Sequence, residues 1–247
     1  MANSSSAKPQ LAHDPLLDIV SLDEICRIAR EVTGVQLSER HRSMVGSRLQ
    51  ARLSELGLAD LKEYLAYYKS HREQENPKFI ALLTTHHTYF FREFSHFEYL
   101  LSHALPKLVP IVRARPDKTL RLWSAACSRG QEAYSLAMFL DYHLKRMDPS
   151  LKFHIQGTDI DAESVEIARN GVYARKELKE APLSLLGDHW AKGTGEIADF
   201  VKAKKSLRGQ CDFGSANLLE RKSMPSTQFD IIFCRNVFIY FNSDQIK

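Results

Sequence analysis

The chain has 247 residues, 44% hydrophobic and 26% charged, with a formal net charge of +4. This composition suits a soluble globular protein of one or two domains and is too weakly basic to favour non-specific nucleic-acid binding. No apolar run approaches the roughly 18–20 residues that cross a bilayer, so direct membrane insertion is not expected.

The Ser-rich stretch Met1 to Pro9 lacks the apolar core of a secretory signal and reads, with the residues through 18, as a disordered tail. From Ser21 to about Leu101 the pattern is helical. Ser21-Leu22-Asp23-Glu24 has the form of a capping box and is expected to open a helix that Gly34 ends. Ser38 is placed to cap a second helix, with Val45, Leu49, Leu53 and Leu56 on one stripe and a stop near Gly57. Asp60 to Tyr68 gives a third helix, and Phe79 to Leu83 and Phe94 to Leu101 give further helix. Pro110, Pro116 and several arginines mark a connector. The expected division is a helical domain over 19–103, a linker over 104–118 and an α/β domain over 119–247.

In that last part, strand-like and helix-like segments alternate, which implies a parallel sheet with crossover helices. Strands are expected at Leu120 to Ala126, Phe153 to Thr158, Gln210 to Ser215 and Phe229 to Cys234, with helices at Glu132 to Arg146 and Ala162 to Asn170. Gly171 is the expected helix stop, and Tyr173 to Leu207 is less regular. The four cysteines, Cys26, Cys127, Cys211 and Cys234, are far apart and form no C-x-x-C pair, which points to free thiols in a reducing compartment.

Polar residues follow each strand. The turn after the first, Ala125-Ala126-Cys127-Ser128-Arg129-Gly130-Gln131-Glu132, has small residues that admit a ligand to the backbone, yet it is neither G-x-G-x-x-G nor a phosphate loop. A carboxylate at Glu132 favours a cationic or hydroxyl-rich ligand over a phosphate. Asp159 stands at the tip of the second strand, where an acidic side chain holds ribose hydroxyls, and Asp161 is placed to cap the next helix. Asn217-Leu218 and Arg235-Asn236 follow the third and fourth strands. Ligands bind at the carboxyl edge of such sheets, so these positions together read as a nucleoside-type site. His86 and His87 lack a third ligand at a spacing that would suit a metal, and none is expected. Arg40, Arg48 and Arg52 share about a third of the second helix's circumference, which reads as a solvated face or as a docking surface for an acidic partner.

Five segments, in this order, carry a family resemblance: Thr88-Tyr-Phe-Phe-Arg92-Glu93, Trp123-Ser-Ala-Ala-Cys-Ser-Arg-Gly130-Gln-Glu132, Asp159-Ile-Asp161, Asn217-Leu-Leu219 and Phe233-Cys-Arg-Asn-Val-Phe-Ile-Tyr-Phe241. The chain resembles the CheR family of chemotaxis receptor methyltransferases from about Ile25 onward. The resemblance implies a helical N-terminal domain and a Rossmann-like catalytic domain with a small β insert, here about 193–207. It implies transfer of a methyl group from S-adenosylmethionine to receptor glutamates, leaving S-adenosylhomocysteine. It also implies a cytoplasmic monomer acting on the acidic cytoplasmic helices of transmembrane chemoreceptors, with no nucleic-acid partner.

By that similarity the cofactor contacts fall on His86, Thr88, Arg92, Glu132, Asp159, Asn217, Leu218, Arg235 and Asn236. Arg92 and Tyr240 border the transferred methyl, and Arg40, Arg48 and Arg52 face the receptor. Two positions depart from the family: His86 replaces Asn, and Gln131 replaces Glu. The family pattern also continues past Phe241 into further strands, so the strand at Ile231 to Cys234 is expected to lack a neighbour on one side. A second reading of the same fold is a non-catalytic module that binds S-adenosylmethionine or S-adenosylhomocysteine. Arg235-Asn236-Val237-Phe238 is not the Asn/Asp-Pro-Pro-aromatic motif of base methyltransferases.

Overall fold

A computed structural model describes residues 18–37, 41–84 and 87–246. The expected Ser38 cap, Arg40, His86 and the tail before residue 18 lie outside the described residues. The chain divides into two compact units, Met1–Leu83 and Thr84–Lys247.

The first unit is helical: α1 Ile19–Thr33, α2 Arg42–Leu56, α3 Leu61–Ser70 and α4 Arg72–Leu83. Helix α1 starts two residues before Ser21. Its cap is Asp18, whose carboxylate accepts the Ser21 backbone N–H at 3.2 Å and also takes the Ser21 hydroxyl. Ser21 is buried inside the first turn, and Glu24 pairs with Arg27. The expected capping box is therefore displaced by an aspartate that fills the same role from outside. Gly34 and Gly57 close α1 and α2 in left-handed conformation, as their spacing predicts, and Asp60 caps α3. Ile25, Ala29, Val45, Leu49, Leu53, Leu61, Tyr64 and Phe79 form the core.

Arg48 and Arg52 are each engaged by groups of the same unit. Arg52 Nε donates to Glu75 Oε1 at 2.9 Å, a second guanidinium nitrogen reaches Glu75 Oε2, and a third meets Glu55 at 2.8 Å. Glu75 is 1% exposed and also accepts the Tyr64 hydroxyl at 3.0 Å. Arg48 donates to the Leu82 carbonyl at 3.1 Å. A carboxylate removed from water demands a cation, so Arg52 is committed to the unit's interior.

The second unit is built on a four-stranded sheet: β1 Thr119–Ala125, β2 Lys152–Asp159, β6 Cys211–Ser215 and β7 Ile231–Phe233, in the order β6-β2-β1-β7 and parallel throughout. Helices α7 Gln131–Met147 and α8 Ala162–Asn170 are the crossovers. The region read as a connector is largely helix. α5 Ser95–Tyr99, a π-helical turn Leu100–Ala104 and α6 Leu105–Arg113 run in succession, and Phe97, Leu100, Leu105, Val109 and Val112 join the sheet's core. Burial of Leu105, Val109 and Val112 along one stripe carries α6 through Pro110 despite the missing N–H. The two units consequently part after Leu83, and not near residue 103.

The β insert is larger than the expected 193–207. It is an antiparallel sheet of β3 Val172–Ala174, β4 Trp190–Lys192 and β5 Phe200–Ala203, in the order β3-β5-β4. Tyr173 and Trp190 pack with Phe90 and with Tyr134 of α7, at centroid separations of 5.1–6.0 Å, which seats the insert on the crossover helix. Strand β7 pairs with β1 alone among the described residues, and Ile232 on it is 57% exposed. Asp230 anchors this short edge strand. Its N–H donates to the Arg121 carbonyl, its carboxylate accepts the Arg121 N–H, and it takes Arg115 in a bidentate pair. All four cysteines are free thiols. Among the described residues no helix is long and apolar enough to cross a membrane.

Two outcomes test this account. Arg52→Ala leaves Glu75 buried without its cation and should destabilise the helical unit by about 3 kcal/mol in urea denaturation; an unchanged midpoint would return Arg52 to the surface. Asp148, which follows α7, is held down to about 2 by the Ser150 backbone N–H, the Ser150 hydroxyl and Arg113. A carboxyl depressed on folding stabilises fully above its unfolded value near 3.9 and ceases to as pH falls through the folded value. Asp148→Asn should thus lower the melting temperature above about pH 4 and converge with the parent toward about pH 2. Parallel melting curves across that range would contradict it.

Candidate active site

Parallel pairing puts the carboxyl ends of β1, β2, β6 and β7 on one edge of the sheet. The chain leaves β1 toward β2 on one side, while β7 flanks β1 on the other, so the β1/β7 boundary is the topological switch point where open sheets bind ligands.

The turn after β1 is tightly held. Cys127 N–H donates to the Thr158 carbonyl at 2.9 Å, and Ser128 N–H donates to Asp159 Oδ2 at 2.7 Å. Asp159 also accepts the Asp161 N–H at 2.9 Å, while Asp161 caps α8 through the N–H groups of Glu163 and Ser164. Gly130 has a φ of 88°, and a Cβ there would stand 2.8 Å from the Ala168 Cβ, so only glycine fits. Ala126 and Ser128 in this turn, Phe91 and Glu93 before α5, and Asn236 after β7 all have φ between 50° and 58°. A side chain in the left-handed region costs about 1 kcal/mol or more and persists where its surroundings enforce it, as at ligand-binding sites.

The charges meet at the switch point. Glu132, in the first turn of α7, accepts the Ser124 hydroxyl at 2.6 Å on one oxygen and Arg235 Nε at 2.7 Å on the other. The side chains of Arg235 and Glu132 are 11% and 12% exposed. Arg235 also donates to the Arg92 carbonyl at 2.8 Å, lies 3.0 Å from His96 Nδ1, and is flanked by the rings of Phe97 and Phe233. Asn236 Nδ2 donates to Glu93 at 3.1 Å. Phe91 N–H donates to the Ser135 hydroxyl on α7 at 2.9 Å. The segment around Arg92 is therefore fastened to the loop after β7 and to α7.

The sequence-predicted residues fall into two groups. Glu132, Arg235 and Asn236, with Arg92 and Glu93, form one connected network, while Asp159 ties the turn after β1 to the start of α8 and to the loop after β6. Arg92 itself donates to the His87 carbonyl at 2.7 Å, beside the half-buried Thr88. Asn217 builds the loop after β6, its side-chain oxygen accepting the Leu219 N–H at 3.0 Å, with Leu218 half-buried next to it. Ala216 N–H bonds the Asp159 carbonyl and brings that loop to the same edge. Tyr240 sits half-buried in the turn Phe238–Tyr240. Gln131 points away from Glu132. It is wholly buried and donates to Glu177, the residue through which the insert's first turn meets α7, at 3.0 Å. Ser124 and His96 escaped sequence reasoning, since nothing in their local pattern distinguishes them from an ordinary strand serine and a helix histidine.

A family model described as the CheR methyltransferase SAM binding domain matches residues 86–247, and its all-alpha domain matches residues 21–84. The chain belongs to the CheR methyltransferase family. It is 38% identical over 219 residues to the chemotaxis protein methyltransferase of Salmonella typhimurium, covering 88% of this chain and 72% of the relative. It is 39% identical over 211 residues to chemotaxis protein methyltransferase 2 of Pseudomonas aeruginosa, covering 85% and 72%. The chemotaxis protein methyltransferase of Borreliella burgdorferi is 33% identical over 228 residues, covering 90% and 79%.

The donor set of this CheR-family site fits an S-adenosyl cofactor. A carboxylate–guanidinium pair, Glu132 with Arg235, and a second carboxylate, Asp159, stand at the carboxyl ends of neighbouring strands beside a turn of small residues with no phosphate-binding pattern. That chemistry suits a ligand bearing hydroxyl, ammonium and carboxylate groups and no phosphate.

Arg235→Ala would release the Arg92 carbonyl and leave Glu132 without its cation. Amide hydrogen exchange at residues 91–96 should rise by at least about tenfold, as local opening is eased by 1.4 kcal/mol or more. Unchanged protection there would show that the segment is held by other contacts.

Proposed function

We propose that this CheR-family protein transfers a methyl group from S-adenosylmethionine to glutamate side chains on the cytoplasmic helices of transmembrane chemoreceptors. The observation that carries this reading is the Glu132–Arg235 pair at the switch point, within a chain whose relatives are named chemotaxis protein methyltransferases. In this reading the chain acts in the cytoplasm as a monomer, with no nucleic-acid partner.

When bound, S-adenosylmethionine supplies an activated methyl group on a sulfonium sulfur. Glu132, Asp159, Asn217, Leu218, Arg235, Asn236 and Thr88 would hold the cofactor, the carboxylates toward its hydroxyl and ammonium groups. His86 belongs with them by similarity alone. A substrate glutamate has an ordinary pKa near 4.3 and is ionised at neutral pH, so the protein need not remove a proton. Its task is to align that carboxylate and strip part of its water, and alignment of this kind is worth about 7–11 kcal/mol.

Arg92 and Tyr240 are suited to that task, as a cation and a hydroxyl on segments flanking the switch point. Arg92 is restrained by the His87 carbonyl and by Glu93 at 3.6 Å, which tempers its grip on a substrate carboxylate. Too strong a hold on the ground state would slow transfer.

Incubation with labelled S-adenosylmethionine and receptor membranes should give label released by mild alkali, as a carboxyl ester requires; alkali-stable label would point to another acceptor atom. Binding of cofactor with no transfer would favour the non-catalytic module. Arg92→Ala and Tyr240→Phe should lower turnover by roughly tenfold or more while S-adenosylhomocysteine affinity changes by less than about threefold. Equal losses in both would remove these residues from substrate alignment.

A further inference from the structure

We propose that Ser124 is a positioning residue for the cofactor-binding carboxylate of Glu132. This rests on the reading that Glu132 meets the S-adenosyl cofactor, and it assigns the group that aims it.

Ser124 lies within β1 and is fully buried. Its register partners are Gly157 on β2 and Phe233 on β7, so its backbone is paired on both sides. From that base the hydroxyl donates to Glu132 Oε1 at 2.6 Å, while Arg235 takes Oε2 at 2.7 Å. The two donors engage different oxygens and thereby fix the rotation of the carboxylate plane. Each oxygen keeps acceptor capacity that a cationic or hydroxyl-bearing ligand at the switch point would use.

Arg235 neutralises Glu132 from the loop after the three-residue edge strand β7. Ser124 ties the same carboxylate to the centre of the sheet. A site held within a fraction of an ångström needs support of this kind from a rigid element.

The test is calorimetric binding of S-adenosylhomocysteine to the whole chain and to Ser124→Ala, Glu132→Gln and the double variant, with melting temperatures measured alongside. Ser124→Ala should weaken binding by about three- to tenfold, the effect of losing one hydrogen bond to a charged group. In the Glu132→Gln background the same change should cost less than about twofold, because the carboxylate it aims is gone. A purely structural serine would give equal losses in both backgrounds, and that result, or no loss in either, would overturn the proposal. If Ser124→Ala does not fold, Ser124→Cys keeps a side chain of similar shape with a weak donor, and the same cycle is read from it. An unaltered chain that fails to bind S-adenosylhomocysteine would instead overturn the functional reading, and this inference with it.

Discussion

The Glu132–Arg235 pair is the contact on which the candidate site depends. Each partner is nearly nine-tenths buried, and a charge withdrawn from water is tolerable only when it is paired and hydrogen-bonded. Glu132 also stands in the first turn of α7, where the helix dipole favours a carboxylate. Arg235 comes from the loop after β7, about a hundred residues later in the chain. The pair therefore bridges the two strands that flank the switch point. Through the Arg92 carbonyl and His96, Arg235 also sets the path of the segment leading into α5.

A rigid turn and a seated insert support that arrangement. The turn after β1 has left-handed residues at Ala126, Ser128 and Gly130, a conformation kept in place by backbone bonds to Thr158 and Asp159. Asp159 organises this turn and the start of the next connection at once. On the far side of α7, the rings of Phe90, Tyr134, Tyr173 and Trp190 pack edge to face. Gln131 and Glu177 add a polar tie at the same place. The departure at Gln131 is thus absorbed by the insert and leaves Glu132 untouched. A carboxylate at 131 would have faced Glu177 at hydrogen-bond distance, with the repulsion that implies.

The arginines of α2 show how little a helix face reveals of its partners. Their spacing puts them on one side of a helix, which fits a solvated or docking surface equally well. Which of the two holds depends on Glu75, a residue of α4 whose burial no helical periodicity in α2 reveals. The connector over 104–118 failed for a related reason. Proline and arginine content speaks for a loop, but Leu105, Val109 and Val112 bury together against the sheet's core, and that packing outweighs the local preference.

The amino-acid sequence determined, by itself, the features set by local chemistry and by short-range pattern. The helix stops at Gly34, Gly57 and Gly171, the Asp161 cap, the four parallel strands and the polar residue after each one follow from residue type and periodicity alone. Five ordered motifs were enough to indicate the family. Only the tertiary structure decided which charges face one another. Ser124 and Glu132 are eight residues apart on different elements, Glu132 and Arg235 about a hundred, and Arg52 and Glu75 lie on separate helices. Such pairings depend on strand register and on burial, which are properties of the packed chain and not of residue type or local periodicity.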